Sequence, residues 1–444
     1  MTAPTLDSIV SEIIAAKPEE VHKDVVPLLK KLDKSSSSKS SSPNLLGGQL
    51  NDGSDPLDLL DPALHSVGYL FVLNARCAAA KPEVQALMPY IINFSERFNP
   101  AQLRLVPDQV NFFAKQVVHI TQEINEAVLA VIPFRNLLTR YTSPGYLTSL
   151  HPHLTHLVML TRSYTTIRDL LLEEIVELDL SLGPIKYHDN LMYHYLGGII
   201  LALLGQKTRA MDMLEIVVSA PGHAVAAIQI DAYKKLLLVQ LLTLGQIQPL
   251  PKYTTPAVVT ACKAHAGPYL DYAHAYAAQD KAGLISLLDK HREVFEKDLN
   301  TGLLTLCERA FRRRTIQKLT DTYMTLSLEE IAKAVDLGTD EKGLKEVEEE
   351  ILGMMADDEI HGSISHPSTT SSRGSITVTF TDDPEPYNSH STEQRVTNAI
   401  AKAKRIEAMT VGDDWRIARS KEFVQKVCLG GLSFFSSATY RAVY

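Results

Sequence analysis

The residues best suited to chemistry in this chain are two histidines at HxH spacing, His151-Pro152-His153. Metal-dependent isopeptidases use such a pair, together with an upstream Glu and a Ser and an Asp at fixed distances beyond the second histidine. Here the downstream slots fall on Thr161 and Tyr164, so no carboxylate stands where a zinc ligand must be. The pair reads as polar residues at a helix entry, with Pro152 in the first turn. HExxH is absent. Gly205-Gln206-Lys207-Thr208 has the ending of a phosphate-binding loop. That loop needs another glycine five residues earlier, so that backbone amides can close around phosphate, and Ile200 occupies the position. The segment also joins two helical patterns rather than a strand and a helix, which makes it a hairpin turn. There is no GxSxG elbow. Cys77, Cys262, Cys307 and Cys428 are too far apart for a CxxC zinc or redox motif, and read as small buried hydrophobes in a reducing compartment. The sequence therefore names no catalytic residue, no metal ligand and no cofactor, and predicts a protein that is not an enzyme.

Charge excludes other classes. Lys and Arg number 44 against 52 Asp and Glu, a net charge of −8, which offers no general attraction to nucleic acid or an anionic membrane. The only compact basic run, Arg312-Arg313-Arg314, reads as the exposed face of a helix close to neighbouring carboxylates. No run is long and apolar enough to span a membrane, and residues 1–10 lack the basic and apolar regions of a signal peptide.

The elements behind these residues are mostly helical. The chain has 444 residues, more than one domain usually holds. Leu6, Ile9, Ile13 and Ile14 open an amphipathic helix and a second short one runs from Val25 to Leu32, so residues 1–32 form N-terminal helices. Lys34 to Ser42 is almost pure serine with lysine, and Pro43, Gly47, Gly48 and Gly53 follow; residues 33–56 are expected to be a disordered linker. Over 57–306 apolar residues recur three and four apart. Leu196, Ile199, Ile200 and Leu203 make one stripe, Gly205-Gln206 breaks it, and Ala210, Met213, Leu214 and Val217 make the next. Leu204-Gly205-Gln206 returns as Leu244-Gly245-Gln246, 40 residues on. A third hairpin has Tyr269, Tyr272, Ala273 and Tyr276, a break at Gln279-Asp280, then Leu284, Leu287 and Leu288. Helical hairpins repeating at this length predict a right-handed, TPR-like solenoid.

Residues 307–384 have a different pattern. A helix carrying Ile316, Leu319 and Tyr323 precedes Leu326-Ser327-Leu328-Glu329-Glu330-Ile331, a capping box with its hydrophobic staple. Gly338 is expected to end that second helix, and Leu344, Val347, Ile351 and Met354 mark a third. Two strands follow, through Ile360, Gly362 and Ile364 and through Ile376, Val378 and Phe380, joined by a tip at His366 to Gly374. Three helices and a two-stranded hairpin make a winged helix. Its third helix is a poor DNA reader: Asp340, Glu341, Glu346, Glu348, Glu349, Glu350, Asp357, Asp358 and Glu359 face only Lys342 and Lys345, and carboxylates repel phosphates. Residues 385–444 form a C-terminal helical tail. A helix from about Thr392 to Ala408 carries an apolar stripe of Val396, Ala399, Ile400, Ala403 and Ile406 opposite Lys402, Lys404 and Arg405, and another short helix is expected around Trp415 to Cys428. The fold class is mainly α: a helical-repeat solenoid capped by a winged helix with C-terminal helices.

Helical hairpins running into a winged helix resemble the PCI module, shared by subunits of the proteasome lid, the COP9 signalosome and a large translation-initiation factor. Tyr323-Met-Thr-Leu-Ser-Leu-Glu-Glu-Ile-Ala332 carries most of the likeness, within a module spanning about 193–384. Tyr193-His-Tyr-Leu-Gly-Gly-Ile199, Pro268-Tyr-Leu-Asp-Tyr-Ala273 and Glu422-Phe-Val-Gln-Lys426 are similar to the third-subunit family of the signalosome. The resemblance implies a non-catalytic scaffold that supports removal of NEDD8 from cullin-RING ubiquitin ligases by another subunit. It implies other PCI- and MPN-type subunits as partners, with the ligases met indirectly, and no small-molecule substrate, nucleic acid or membrane. The expected location is cytoplasm and nucleus. The alternative is a PCI subunit of the proteasome lid or of an initiation-factor complex. Two features depart from the family pattern: the serine-rich stretch 35–42 looks like an insertion, and Leu429 to Tyr444, with Phe434-Phe435, is apolar where a polar tail is expected.

Two groups of residues are candidates for contact with neighbours. Ile376, Val378 and Phe380 are expected at an exposed sheet edge open to strand addition. Val396, Ile400, Ala403 and Ile406 are expected to be buried in a bundle with partner helices, because a helix so short is marginal alone in water.

Overall fold

Helices closed by short polar turns dominate the computed structural model, which describes residues 5–16, 21–37, 45–79, 84–222, 224–366, 376–381, 390–421 and 423–425. The chain forms two units, residues 1–312 and 313–444.

In the first unit the helix Tyr187–Leu203 turns at Gly205, with φ +75°, into Lys207–Ser219. The helix Ala227–Leu244 ends the same way on Gly245, at φ +76°, whose N–H donates to the Leu241 carbonyl. Both echoed glycines therefore occupy left-handed positions that glycine adopts without steric cost. The third hairpin pairs Gly267–Ala277 with Lys281–Lys290; Gln279 takes the left-handed turn and the Asp280 carboxylate accepts from the Gly283 N–H. Its Tyr269, Tyr272 and Tyr276 are buried, with Tyr269 edge-on to Phe295 and Tyr276 edge-on to Phe311.

The stripe expected on Tyr187–Leu203 is displaced. Leu196 and Ile199 are half-buried and Leu203 is exposed, whereas His194, Gly197, Gly198 and Leu201 are buried with Ile200. A Cβ on Gly198 would stand 2.9 Å from Cγ of Leu214, and one on Gly197 2.8 Å from Sδ of Met213. The following helix docks over the two glycines, and backbone proximity, not side-chain hydrophobicity, chooses the buried face.

The N-terminal region also differs from expectation. Leu6–Ala15 buries Leu6, Ile9, Val10 and Ile13 but leaves Ile14 exposed. The next helix, Val26–Ser37, runs into the first serines, and the rest of the serine run lies outside the described residues. Residues 45–56 are not a loose linker: Leu46 and Leu50 are buried in the same core as the N-terminal helix, and both the backbone N–H and the side-chain amide of Asn51 donate to Asp7. The glycines there mask two leucines that are enough to anchor the segment. A short parallel pair, β1 (Tyr146–Leu147) with β2 (Glu177–Leu178), was not foreseen. No described helix is long and apolar enough to cross a membrane.

The second unit holds a winged helix. Helix Leu328–Val335 starts on the capping box expected for it: Ser327 Oγ accepts from the Glu330 N–H at 3.2 Å and the Glu330 carboxylate accepts from the Ser327 N–H at 3.0 Å. It ends on Asp336 in a left-handed conformation, ahead of Gly338, with the Asp336 N–H reaching back to the last turn. The third helix is Glu341–Ala356. The sheet has three strands: β3 (Thr325–Ser327), β4 (Gly362–Ser365) and β5 (Thr377–Phe380), antiparallel in the order β3-β5-β4. Val378 faces Leu326 on one side and Ile364 on the other. The core beneath joins Ile316, Ile331, Val347, Ile351, Val378 and Phe380. The hairpin tip 367–375 and the stretch 382–389, with Pro384 and Pro386, lie outside the described residues.

Beyond it runs a helix, His390–Ala418, of 29 residues, longer than the one expected from about Thr392 to Ala408; after a turn at Arg419 and Ser420 the described residues 421 and 423–425 are helical again, within the span expected for the second short helix. Gly412 lies inside it; a single interior glycine costs only about 1 kcal/mol and does not break a helix of this length. Residues 426–444, including Cys428, are outside the described residues.

Candidate protein interface

The two groups of candidate residues are placed very differently. Val378 and Phe380 are buried in the winged-helix core and Ile376 packs against it half-buried. β5 is the central strand, paired on both sides, so these three residues cannot form an open edge for strand addition. The reason is β3: Thr325–Ser327 pairs with β5 before serving, through Ser327, as the start of the next helix. The capping signal in that segment hid a strand only three residues long.

The C-terminal helix is the reverse. Val396, Ile400 and Ile406 are 52%, 51% and 49% exposed, and Ala403 is exposed between them. The apolar surface continues farther than expected, through Val411, Trp415 and Ile417. Arg419 lies over the Trp415 ring at 5.3 Å. Every described side chain of this helix is exposed except Thr392 and Met409, which are half-buried. An apolar stripe of this length facing water carries an unused driving force for association, since each buried CH₂ contributes about 0.8 kcal/mol.

The motif residues set aside above are structural. His151 is buried and edge-on to Tyr193, and its Nδ1 accepts from the Thr148 N–H at 3.0 Å. Burial pushes its pKa down to about 4, so it stays neutral at physiological pH. His153 is also pushed down by burial. No group of three His, Cys, Asp or Glu among the described residues could hold a metal. Cys77, Cys262 and Cys307 are buried free thiols whose pKa values burial raises, the opposite of a reactive cysteine.

Arg313 is not on an exposed face. It is 16% exposed, its Nε donates to Glu350 at 2.5 Å and its Nη1 meets Asp357 at 2.7 Å and Glu359 at 3.2 Å. Burial opposes its charge, but Glu350, Asp357 and Glu359 hold its pKa above the ordinary guanidinium range. Part of the acidic surplus of the third helix is thereby neutralised internally, a pairing the sequence hinted at through the basic run and acidic helix but could not assign.

Comparison with known proteins adds to this geometry. Residues 30–258 match the N-terminal helical repeats of COP9 signalosome complex subunit 3, and residues 288–370 match the PCI domain. The chain belongs to the COP9 signalosome complex subunit 3 family. It is 33% identical over 337 residues to COP9 signalosome complex subunit 3 of Arabidopsis thaliana, covering 75% of each chain. It is 28% identical over 379 residues to the protein of the same name in Dictyostelium discoideum, covering 84% of this chain and 87% of that one. The family's repeats and PCI domain correspond to the helical array and the winged helix described above, and the exposed helix His390–Ala418 follows the second match.

Proposed function

We propose that the chain is a non-catalytic scaffold subunit of the COP9 signalosome, holding the complex together while another subunit removes NEDD8 from cullin-RING ligases. The family supports this reading over a place in the proteasome lid or an initiation-factor complex. The observation that carries the scaffold role is the long helix His390–Ala418 with its solvent-facing apolar stripe. Its partners are other PCI- and MPN-type subunits, and it enters a bundle with their helices. It acts in the cytoplasm and nucleus, where cullin-RING ligases work. A non-enzymatic role agrees with the sequestered, neutral His151 and the high-pKa thiols.

The test is reconstitution with Ile400→Asp and Ile406→Asp together. Each isoleucine is already about half exposed in the free chain. Completing its burial contributes about 1 kcal/mol, and a carboxylate forced into the same contact costs more than that. Incorporation should fall about a hundredfold or more, while the melting temperature of the free chain barely moves. Normal incorporation, or a free chain that melts much lower, would show that the helix is not an assembly element. The isolated chain should turn over no NEDD8 conjugate; chelator-sensitive turnover would contradict the scaffold role.

A further inference from the structure

We propose that β2 is a docking edge for an extended, basic segment of another protein, which adds to the β1–β2 pair as a third strand. β2 belongs to the first unit, the assembly helix to the second. β1 and β2 form a parallel pair with Tyr146 beside Glu177 and Leu147 beside Leu178. Parallel strands are normally covered on both faces. Here Leu147 is buried, but Leu178 across from it is 47% exposed, and Val176 and Leu180 are 51% and 66% exposed. The N–H groups of Glu177 and Asp179 donate to the Gly145 and Leu147 carbonyls at 3.3 and 2.9 Å. The residue between them in a parallel ladder turns its N–H and C=O the other way, so those of Leu178 face away from β1. No further strand pairs with β2 among the described residues. The strip is held at both ends: Arg209 Nη2 donates to the Glu173 carbonyl at 2.9 Å, and the Asp179 carboxylate accepts from the Ser181 N–H at 3.0 Å. An edge formed in advance spares a binding segment the cost of ordering it.

Charge names the occupant. From Glu173 to Leu182 the chain carries Glu173, Glu174, Glu177 and Asp179 and no Lys or Arg. Val176 and Leu178 lie on one side of the strand and Glu177 on the other. A segment that alternates basic and apolar side chains satisfies both sides, apolar against Val176 and Leu178 and basic against Glu177, while its backbone bonds to Leu178. A second copy of β2 would set carboxylate beside carboxylate, which is destabilising.

The probe is a dye-labelled peptide of about eight residues that alternates lysine and valine, compared with one in which the same lysines and valines stand in two blocks. Fluorescence anisotropy with the full chain should show the alternating peptide binding more tightly than about 1 mM, and the block peptide about tenfold more weakly. Leu178→Pro removes only the outward N–H, where edge strands tolerate proline, and should weaken binding about tenfold. Val176→Ser with Leu178→Ser keeps the backbone donor and should weaken it by about as much. Glu173→Lys with Glu177→Lys should do so at low ionic strength, with a smaller deficit at about 0.5 M salt. Hydrogen exchange at the Leu147 and Asp179 amides checks that the β1–β2 ladder persists; if proline opens it, the serine pair carries the test. Every variant should enter the reconstituted complex as the parent does, and the complex should bind the peptide as the free chain does. No binding by the parent, equal binding of the block peptide, or full binding by the serine pair or by an intact Leu178→Pro overturns the proposal. Lost incorporation, or lost binding in the complex, overturns it too, by making β2 a contact between subunits, and leaves the scaffold role standing.

Discussion

Replacing Arg313 by methionine keeps the aliphatic stem and removes a guanidinium that meets three carboxylates. The three contacts differ in worth. Glu350 is 13% exposed and its pair with Arg313 is largely dehydrated, whereas Asp357 is more than half exposed and Glu359 about a third. Removing one partner of a buried pair costs about 3–5 kcal/mol, while exposed pairs contribute about 0.2–1 kcal/mol each. Because the Glu350 pair is not fully dry, the expected loss for Arg313→Met is about 3 kcal/mol. Glu350→Gln leaves the guanidinium its other acids and should cost about 1 kcal/mol. The double variant should be less destabilised than the sum of the singles by about 1–2 kcal/mol, the coupling expected of contacting groups. The whole chain has two units, so a single melting curve is the wrong readout. Hydrogen exchange of amides in Leu328–Val335 and Glu341–Ala356 reports on the winged helix alone. Exchange in Arg313→Met equal to that of the parent, or strictly additive singles, would refute the view that this arginine clamps the third helix.

Gly198→Val should destabilise the first unit by about 2–3 kcal/mol, because overpacking against Leu214 outweighs the gain in helix propensity; calorimetry of the full chain measures it. Gly412→Ala meets nothing within 4 Å and should do the opposite, raising protection of His390–Ala418 by about 1 kcal/mol in hydrogen exchange. His151 contributes a pH dependence whose sign follows from its lowered native pKa of about 4. Above about pH 6.5 both states are neutral; as pH falls from there towards the native pKa only the unfolded state gains the proton, so stability is lost, up to about 3 kcal/mol. Denaturant melts of His151→Gln should show a shallower loss across that window; an unchanged slope would place the effect elsewhere.

Much of the architecture was legible because it rests on local signals. Gly205 and Gly245 announce left-handed turns, and the Ser327–Glu330 capping box announces a helix start without reference to anything distant. What the sequence hid depends on contacts between remote segments. The face of Tyr187–Leu203 is selected by the approach of Leu214 and Met213 to two glycines, which no periodicity within the helix can express. Leu46 and Leu50 sit in a glycine-rich, serine-flanked run whose average composition resembles a linker, yet two anchored side chains suffice to order it. β3 is three residues long and its partner lies about 50 residues away, too far for any hairpin rule to find. Of the candidate contact residues, the helical stripe could be recognised because it is periodic and faces no other part of its own sequence pattern. The strand residues could not be placed, because edge and centre of a sheet look alike in one strand.

The order β3-β5-β4 has a consequence for synthesis. The strand that binds the sheet together is the last to leave the ribosome, and until Phe380 has emerged β3 and β4 have no common neighbour. The wing therefore cannot be built up strand by strand as the chain appears; the earlier helices wait as an open, apolar-faced intermediate, the kind of species that chaperones guard. A chain stopped before residue 376 would not lose an edge but the whole sheet, and with it the cover over Ile331 and Ile351. Premature termination in this stretch should thus yield a degraded protein rather than a trimmed, partly competent one.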